Sequence, residues 1–404
     1  MGSAYSGAAV IGQSGGPTNV INQSLIGALL EASKYSAIAD FYGALKGVEG
    51  ILKENLVNLR AENLDNLELI TRTPSSALRS VRKKVTKDEC KVIFENFRKH
   101  GVRYFFYIGG NDSAETAHII NEFAKDAQYE FHAFHIPKTI DNDLRETDHC
   151  PGYGSAARFV AMAFMGANLD NLSLPGVYIG VVMGRHAGFL TAASVLGKTR
   201  KDDGPHLVYV PETVFEPEKF LADVEQAYKK YGRCVVAVSE GVHDKAGSPI
   251  LLALKKDVEK DDHGNIQLSG TGALGDTLSQ LIRDNLKISR VRSDTFGYLQ
   301  RCFPTIVSET DAIEARRVGE EAVKAAVSGR YEGSVAIRRV SNDPYRVIYE
   351  VVELKKVAKH TITMPKEFIE GNNYVSEKFI QYAKPLAGVL PQMGRLKNVS
   401  ITKI

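Results

Sequence analysis

Short apolar runs that end in Gly, Pro or Asp, each followed by a segment with helical spacing, recur through the first 240 residues. They are Ala8 to Gly12, Tyr104 to Gly109, Phe131 to Ile136, Val177 to Met183, Leu207 to Val210 and Cys234 to Val238. Runs of this length bounded by turn formers read as strands buried on both faces of a parallel sheet. Helical spacing fills Val20 to Ser33, Ser113 to Ala124 and Pro217 to Tyr231. Strand and helix in alternation restrict such a chain to doubly wound α/β domains. Ligands there lie beyond the carboxyl ends of the strands, so the loops after these runs are where chemistry is expected.

At about 150 residues per domain, 404 residues make two or three domains. With 44% hydrophobic and 25% charged residues, disorder and a coiled coil are excluded. A further helix is expected over Leu274 to Leu286, after Gly270, and an antiparallel ribbon over Ile337 to Leu354. A net charge of +3 excludes a field suited to nucleic acid or an anionic membrane, so an anionic ligand must be met by local clusters. The densest cluster holds Arg79, Arg82, Lys83, Lys84 and Lys87 and, taken alone, reads as a solvated face. The 4 cysteines lie far apart without a CxxC pair, which implies neither zinc nor a disulfide framework and fits a reducing cytoplasm. No signal-peptide pattern and no apolar stretch of about 18 residues is present, so neither export nor membrane insertion is expected.

Two motif matches fail on context. Gly152 to Ala157 fits G-x-G-x-x-A but follows the polar stretch Asp141 to Cys150 instead of a strand; its small residues suit close approach of a helix start to a ligand or backbone. Ala192 to Thr199 lacks the first glycine of a P-loop and continues a helix, with Gly197 expected as cap and Lys198 facing the dipole.

The loops themselves carry more. Gly12 to Asn19 (GQSGGPTN) is poor in side chains and opens a helix, which exposes amides to an anion, although an ordinary strand-to-helix turn looks the same. Gly109 to Ser113 (GGNDS) repeats the pattern with an acid in the anion site. Pro137 to Asp143 (PKTIDND) sets carboxylates at i and i+2 beside a lysine, as general-base phosphoryl chemistry requires or as an Asx turn would. Met183 to Gly188 (MGRHAG), Ser239 to Gly241 (SEG) and Arg292 to Arg301 (RSDTFGYLQR) add arginines and a glutamate suited to a sugar phosphate.

In this order the motifs GGPTN, GGNDS, PKTIDND, MGRHAG, SEG and GYLQR resemble the phosphofructokinases, more closely their pyrophosphate-dependent branch, from about Ile11 to Arg301. The resemblance implies two doubly wound α/β domains with the active site in the cleft between them. Residues 1–150 plus about 301–360 would bind the donor, and about 151–300 plus about 361–404 the sugar phosphate. It implies an Mg2+-dependent, reversible transfer of phosphate from pyrophosphate to the 1-hydroxyl of fructose 6-phosphate in the cytoplasm. An ATP-dependent enzyme and a catalytically silent regulatory subunit are the alternatives.

The same resemblance assigns residues. Asp141 would accept the proton of the 1-hydroxyl, which Thr139, Ile140 and Asp141 hold, with Lys138 and Asp112 as the other catalytic groups. Gly15, through its amide, Gly16, Arg82, Asp112 and Lys138 would bind the donor. Met183, Gly184, Arg185, Glu240, Tyr298 and Arg301 would bind the sugar phosphate, joined by Arg292 from a neighbouring subunit of a homodimer or homotetramer. Asn111 and Asp143 would serve the metal. ATP-using relatives have glycine in place of Asp112 and Lys138; a carboxylate at 112 fills and repels the α-phosphate site, and the ammonium at 138 can stabilise the transferring phosphoryl group. Three departures stand out: Asn111 for a metal-binding aspartate, Arg79 for a turn glycine, and Gly176 for an arginine of ATP-using relatives that reaches a neighbour's sugar phosphate. The last implies a looser pocket and a broader choice of acceptor.

Overall fold

A computed structural model describes residues 6–254 and 272–397. The outer ends of the expected domains (1–5 and 398–404) and Gly270 lie outside the described residues. The main strands are β1 (Gly7–Gln13), β2 (Ile38–Ala44), β3 (Leu56–Asn58), β4 (Val102–Gly109), β5 (His132–Pro137), β6 (Val177–Val182), β7 (Leu207–Tyr209), β8 (Cys234–Ser239), β9 (Val291–Thr295), β10 (Glu332–Asn342) and β11 (Tyr345–Val352). One sheet has the order β11-β10-β5-β4-β1-β2-β3, the other β7-β8-β6-β9. The second is parallel throughout; the first is parallel except for β3 and β11 at its edges.

Both sheets are covered on two faces, as the apolar runs require. Ala9 and Ile11 of β1 enter one core, with the helices Ile21–Ala32 and Glu309–Val327, while Ala8 and Val10 enter another, with Lys87–Lys99 and Asn111–Asp126. That is the two-residue alternation of a strand dividing side chains between faces. In the second sheet Val235 and Ala237 face the helix Tyr153–Ser173, and Val236 and Val238 face Pro217–Tyr231 and Ala273–Leu286. The chain builds part of the first sheet, then the second, and returns: Glu309–Val327 packs on Ile21–Ala32, and β10 pairs with β5. The expected ribbon is β10 with β11.

Gly154 is small because a Cβ there would lie 2.6 Å from the Leu386 carbonyl oxygen, the backbone approach expected of Gly152 to Ala157. The Ala192 to Thr199 segment differs from expectation. Gly197 is not a left-handed cap but makes way for Met165, whose Cγ would lie 2.3 Å from a Cβ, and Lys198 Nζ donates to the Pro205 carbonyl (2.8 Å) and the Tyr374 hydroxyl (2.6 Å) instead of facing a helix end.

A buried charge cluster ties the later chain to the loop after β5. His149 Nδ1 donates to Asp148 Oδ2 (2.7 Å) and Nε2 to Glu314 Oε2 (2.6 Å), while the Tyr345 hydroxyl donates to Glu314 Oε1 (2.6 Å) and Arg339 Nε to Asp148 Oδ2 (3.0 Å). Burial disfavours the imidazolium, but the two carboxylates outweigh it and raise its pKa to about 9. The folded value exceeds the unfolded one of about 6.5, so the stabilisation is complete below the latter and is lost as pH rises through the former. The parent's Tm should therefore fall between these values, and less steeply in His149→Gln; parallel slopes would contradict a charged His149.

Candidate active site

The loops after β1, β4 and β5 leave one edge of the first sheet, and those after β6, β8 and β9 leave the second. The two edges meet: Asn19 Nδ2 donates to the carbonyls of Phe303 (3.1 Å) and Ile306 (2.9 Å).

At the centre is the turn Gly15-Gly16. Gly15 takes a left-handed φ of 76°. A Cβ on it would lie 3.2 Å from Lys138 Nζ, and one on Gly16 would lie 2.8 Å from Arg301 Nη1 and 3.9 Å from Arg82 Nη2. Three cations from three segments thus crowd over a surface without side chains. Lys138 is 4% exposed, and its ammonium donates to the Gly16 carbonyl oxygen (2.7 Å). Burial lowers its pKa to about 8; Asp141 opposes the shift, and Arg301 and Arg82 assist it. Arg301 Nε is buried with no hydrogen-bond partner. A buried ammonium flanked by the partly covered Arg301, with an unused donor, and the exposed Arg82 forms a site for an anion.

The Gly15 amide departs from expectation. It donates to the Val81 carbonyl oxygen (3.1 Å), because the basic segment lies alongside the turn. What the glycines give is room for the cations.

Asp141 and Asp143 stand beside this surface. The Thr139 hydroxyl accepts the Asp141 N–H (3.1 Å) and so fixes the start of the turn. Burial raises the pKa of Asp141, against the charges of Lys138, His186, Arg301 and Arg82. Burial and the charge of Asp141 raise that of Asp143 to about 7. Asp141 is thus a carboxylate whose proton affinity is raised while cations surround it, which suits a general base. The Ile140 side chain, having no polar group, joins the apolar cluster of Tyr153 and Phe189.

On the second sheet, the Met183 N–H donates to Gln300 Oε1 (3.2 Å) and Ser239 Oγ donates to the Gly184 carbonyl (2.6 Å), which binds three loops together. Arg185 is exposed, Glu240 is buried, and the Arg301 guanidinium lies 4.6 Å from the centre of the half-exposed Tyr298 ring. Arg292 is not among them. It lies near the start of β9, exposed, at the opposite end of the strand from Arg301.

Asn111 opens the helix Asn111–Asp126, and Asp112 is 68% exposed in its first turn, 3.5 Å from Lys84 Nζ. Among the described residues no three His, Cys, Asp or Glu side chains are grouped to hold a metal unaided.

Sequence reasoning did not single out Gln300, although it lies inside the quoted GYLQR motif. Nor did it single out Glu212, whose Oε1 accepts the N–H groups of Gly188 (2.9 Å) and Met364 (2.8 Å) and secures the MGRHAG loop; a lone acid in a short loop gives no signal.

The sequence pattern of the phosphofructokinase family, described as "Phosphofructokinase", matches residues 8–326. The chain belongs to the phosphofructokinase family. It is 52% identical over 402 residues, 99% of each chain, to a pyrophosphate–fructose 6-phosphate 1-phosphotransferase of Rhodospirillum rubrum. It is 35% identical to another from Halomonas elongata, covering 93% of this chain and 90% of that one. The crystal structure of a pyrophosphate-dependent phosphofructokinase from Marinobacter aquaeolei superposes with a TM-score of 0.85 at 33% identity and 98% coverage of both chains.

Two departures from the phosphofructokinase pattern gain a physical account. Arg79 is exposed and holds a φ of 60°, the conformation that favours the glycine expected there from the resemblance. Gly176 precedes β6, at the end of the strand away from Met183, and a Cβ there would lie 2.5 Å from the Arg290 carbonyl oxygen. The Arg290 side chain fills the place a residue at 176 would take, so this glycine opens no space in its own chain's pocket.

Proposed function

We propose that the protein transfers a phosphoryl group reversibly from pyrophosphate to the 1-hydroxyl of fructose 6-phosphate. Asp141 takes the hydroxyl proton, the oxygen attacks the nearer phosphorus, the bridging P–O bond breaks, and orthophosphate leaves. The observation that carries this reading is the set of Lys138, Arg82 and Arg301 over Gly15-Gly16, within electrostatic reach of Asp141. It supports donor binding there, with Arg301 shared between the donor and the sugar phosphate, and Met183, Gly184, Arg185, Glu240 and Tyr298 on the sugar side. 31P NMR of the protein with fructose 6-phosphate, pyrophosphate and Mg2+ should show fructose 1,6-bisphosphate and orthophosphate; unchanged pyrophosphate would overturn the reading.

Mg2+ fits this site. Asp143, whose proton affinity burial and the nearby Asp141 charge raise, would be relieved by a dication, and Mg2+ commonly combines one or two carboxylates with substrate phosphates and water. Asp143 would hold it, with Asn111 at the neighbouring strand end. When bound it would neutralise phosphate charge.

Asp112 stands exposed at the entrance of the donor loop, which supports its role against a nucleotide. Asp112→Gly should shift the kcat/KM ratio toward ATP by removing bulk and repulsion. An unchanged ratio would remove Asp112 from donor choice.

The donor side falls to residues 1–150 plus about 301–360, and the sugar side to about 151–300 plus about 361–404, a division supported by β10 and β11 joining the first sheet. Among the described residues no helix is long and apolar enough to cross a membrane, and we place the enzyme in the cytoplasm.

A homodimer or homotetramer with shared sites is supported by the place of Arg292, exposed at the end of β9 away from Arg301. Arg292→Ala and Asp141→Ala should each be nearly inactive, and hybrids assembled from both should regain activity. Verified hybrids without recovery would place Arg292 outside the neighbour's site.

A further inference from the structure

The matched family pattern ends at residue 326, yet later residues hold the loop that carries the two carboxylates. The Ile362 N–H donates to the Asp143 carbonyl oxygen (2.8 Å), and Thr361 bridges to Leu144. Between the carboxylates, Asn142 keeps a left-handed φ of 60°. Its side chain is committed at both ends: Oδ1 accepts the Cys150 N–H (2.9 Å), and Nδ2 donates to the Tyr382 hydroxyl (2.7 Å). That hydroxyl donates onward to the Asp148 carbonyl oxygen (2.9 Å).

Tyr382 belongs to the helix Glu377–Ala387 and is itself held. The Arg339 guanidinium lies 4.5 Å from its ring centre, and Arg339 Nη1 donates to its carbonyl (2.8 Å). Its ring also packs on Phe189, which follows the MGRHAG loop, at 6.1 Å between centroids. One side chain therefore touches the loop after β5 and the start of the helix that follows the loop after β6, which come from different sheets.

A left-handed φ is tolerated by asparagine but is not its lowest-energy conformation, so the two side-chain bonds of Asn142 add to what holds the turn between the two carboxylates. Rotation there would change the spacing of Asp141 and Asp143, and small misplacements of a reacting group reduce rate steeply. We infer that Tyr382 is a positioning residue, through which the C-terminal helix fixes Asn142 and with it the aim of Asp141 toward the acceptor hydroxyl. This inference rests on the function proposed above.

Tyr382→Phe removes one oxygen and keeps the ring contacts. Its kcat should fall about tenfold, with KM for both substrates close to the parent's and a Tm lowered by the loss of the two hydroxyl hydrogen bonds. Asn142→Ala breaks the same bond from the other end, so the double variant should be no slower than the slower single variant. Amide hydrogen exchange over residues 139–144, which needs no turnover, should quicken in Tyr382→Phe. A kcat and exchange rates equal to the parent's would overturn the inference. So would single-variant losses that multiply in the double, or a loss that vanishes once rates are corrected for the folded fraction. Kinetics are read with whichever donor the parent uses, so failure of the pyrophosphate assignment leaves this result standing. If the parent uses neither donor, the function fails, and exchange alone decides whether Tyr382 holds the loop. If Tyr382→Phe does not fold, Asn142→Ala supplies the same kinetic and exchange readouts.

Discussion

Asp141→Asn should turn over fructose 6-phosphate about 10²- to 10⁴-fold more slowly than the parent, the usual cost of losing a general base. The substitution preserves shape, and the main-chain bond from Asp141 to the Thr139 hydroxyl survives it. Stability should move the other way. Burial raises the pKa of Asp141, so its charged form costs the fold free energy at neutral pH, and a neutral amide removes that cost along with the repulsion of Asp143. An inactive variant with a Tm equal to or above the parent's is the expected pair of results. Parental kcat would remove Asp141 from the mechanism; a lowered Tm would refute the electrostatic account of the site.

Lys138→Met should lower kcat/KM for pyrophosphate by about 10²- to 10³-fold, the range seen when one donor to developing transition-state charge is deleted. The ammonium is buried, anchored on the Gly16 carbonyl and beside the surface where the donor is proposed to lie. Methionine fills a similar volume and supplies no charge. The parent's activity should also fall as pH rises through about 8, where Lys138 loses its proton, and Lys138→Met should lack that step. An unaltered alkaline limb would assign it to another group.

Strands β1, β4, β5, β6, β7 and β8 were legible because both their faces are buried, so apolar runs mark them directly. β9 was not: it is an edge strand in which Arg292 and Asp294 face water, and VRSDT has no apolar run. β2 was missed for a similar reason, with Asp40 and Tyr42 only partly covered. In the site, residues inside contiguous motifs were visible, among them Lys138, Asp141 and Arg301. Interactions fixed by distant chain were not, because nothing local encodes them: Val81 occupying the Gly15 amide, Arg290 filling the place beside Gly176, and Tyr382 holding Asn142.

Donor choice separates a pyrophosphate-dependent enzyme from an ATP-dependent one. One purified sample, with fructose 6-phosphate and Mg2+ at fixed concentration, should be assayed for fructose 1,6-bisphosphate over a range of pyrophosphate and separately of ATP. Saturable turnover with pyrophosphate, with release of one orthophosphate per bisphosphate formed and a kcat/KM far above that for ATP, is the predicted result. Equal or higher kcat/KM with ATP would contradict it.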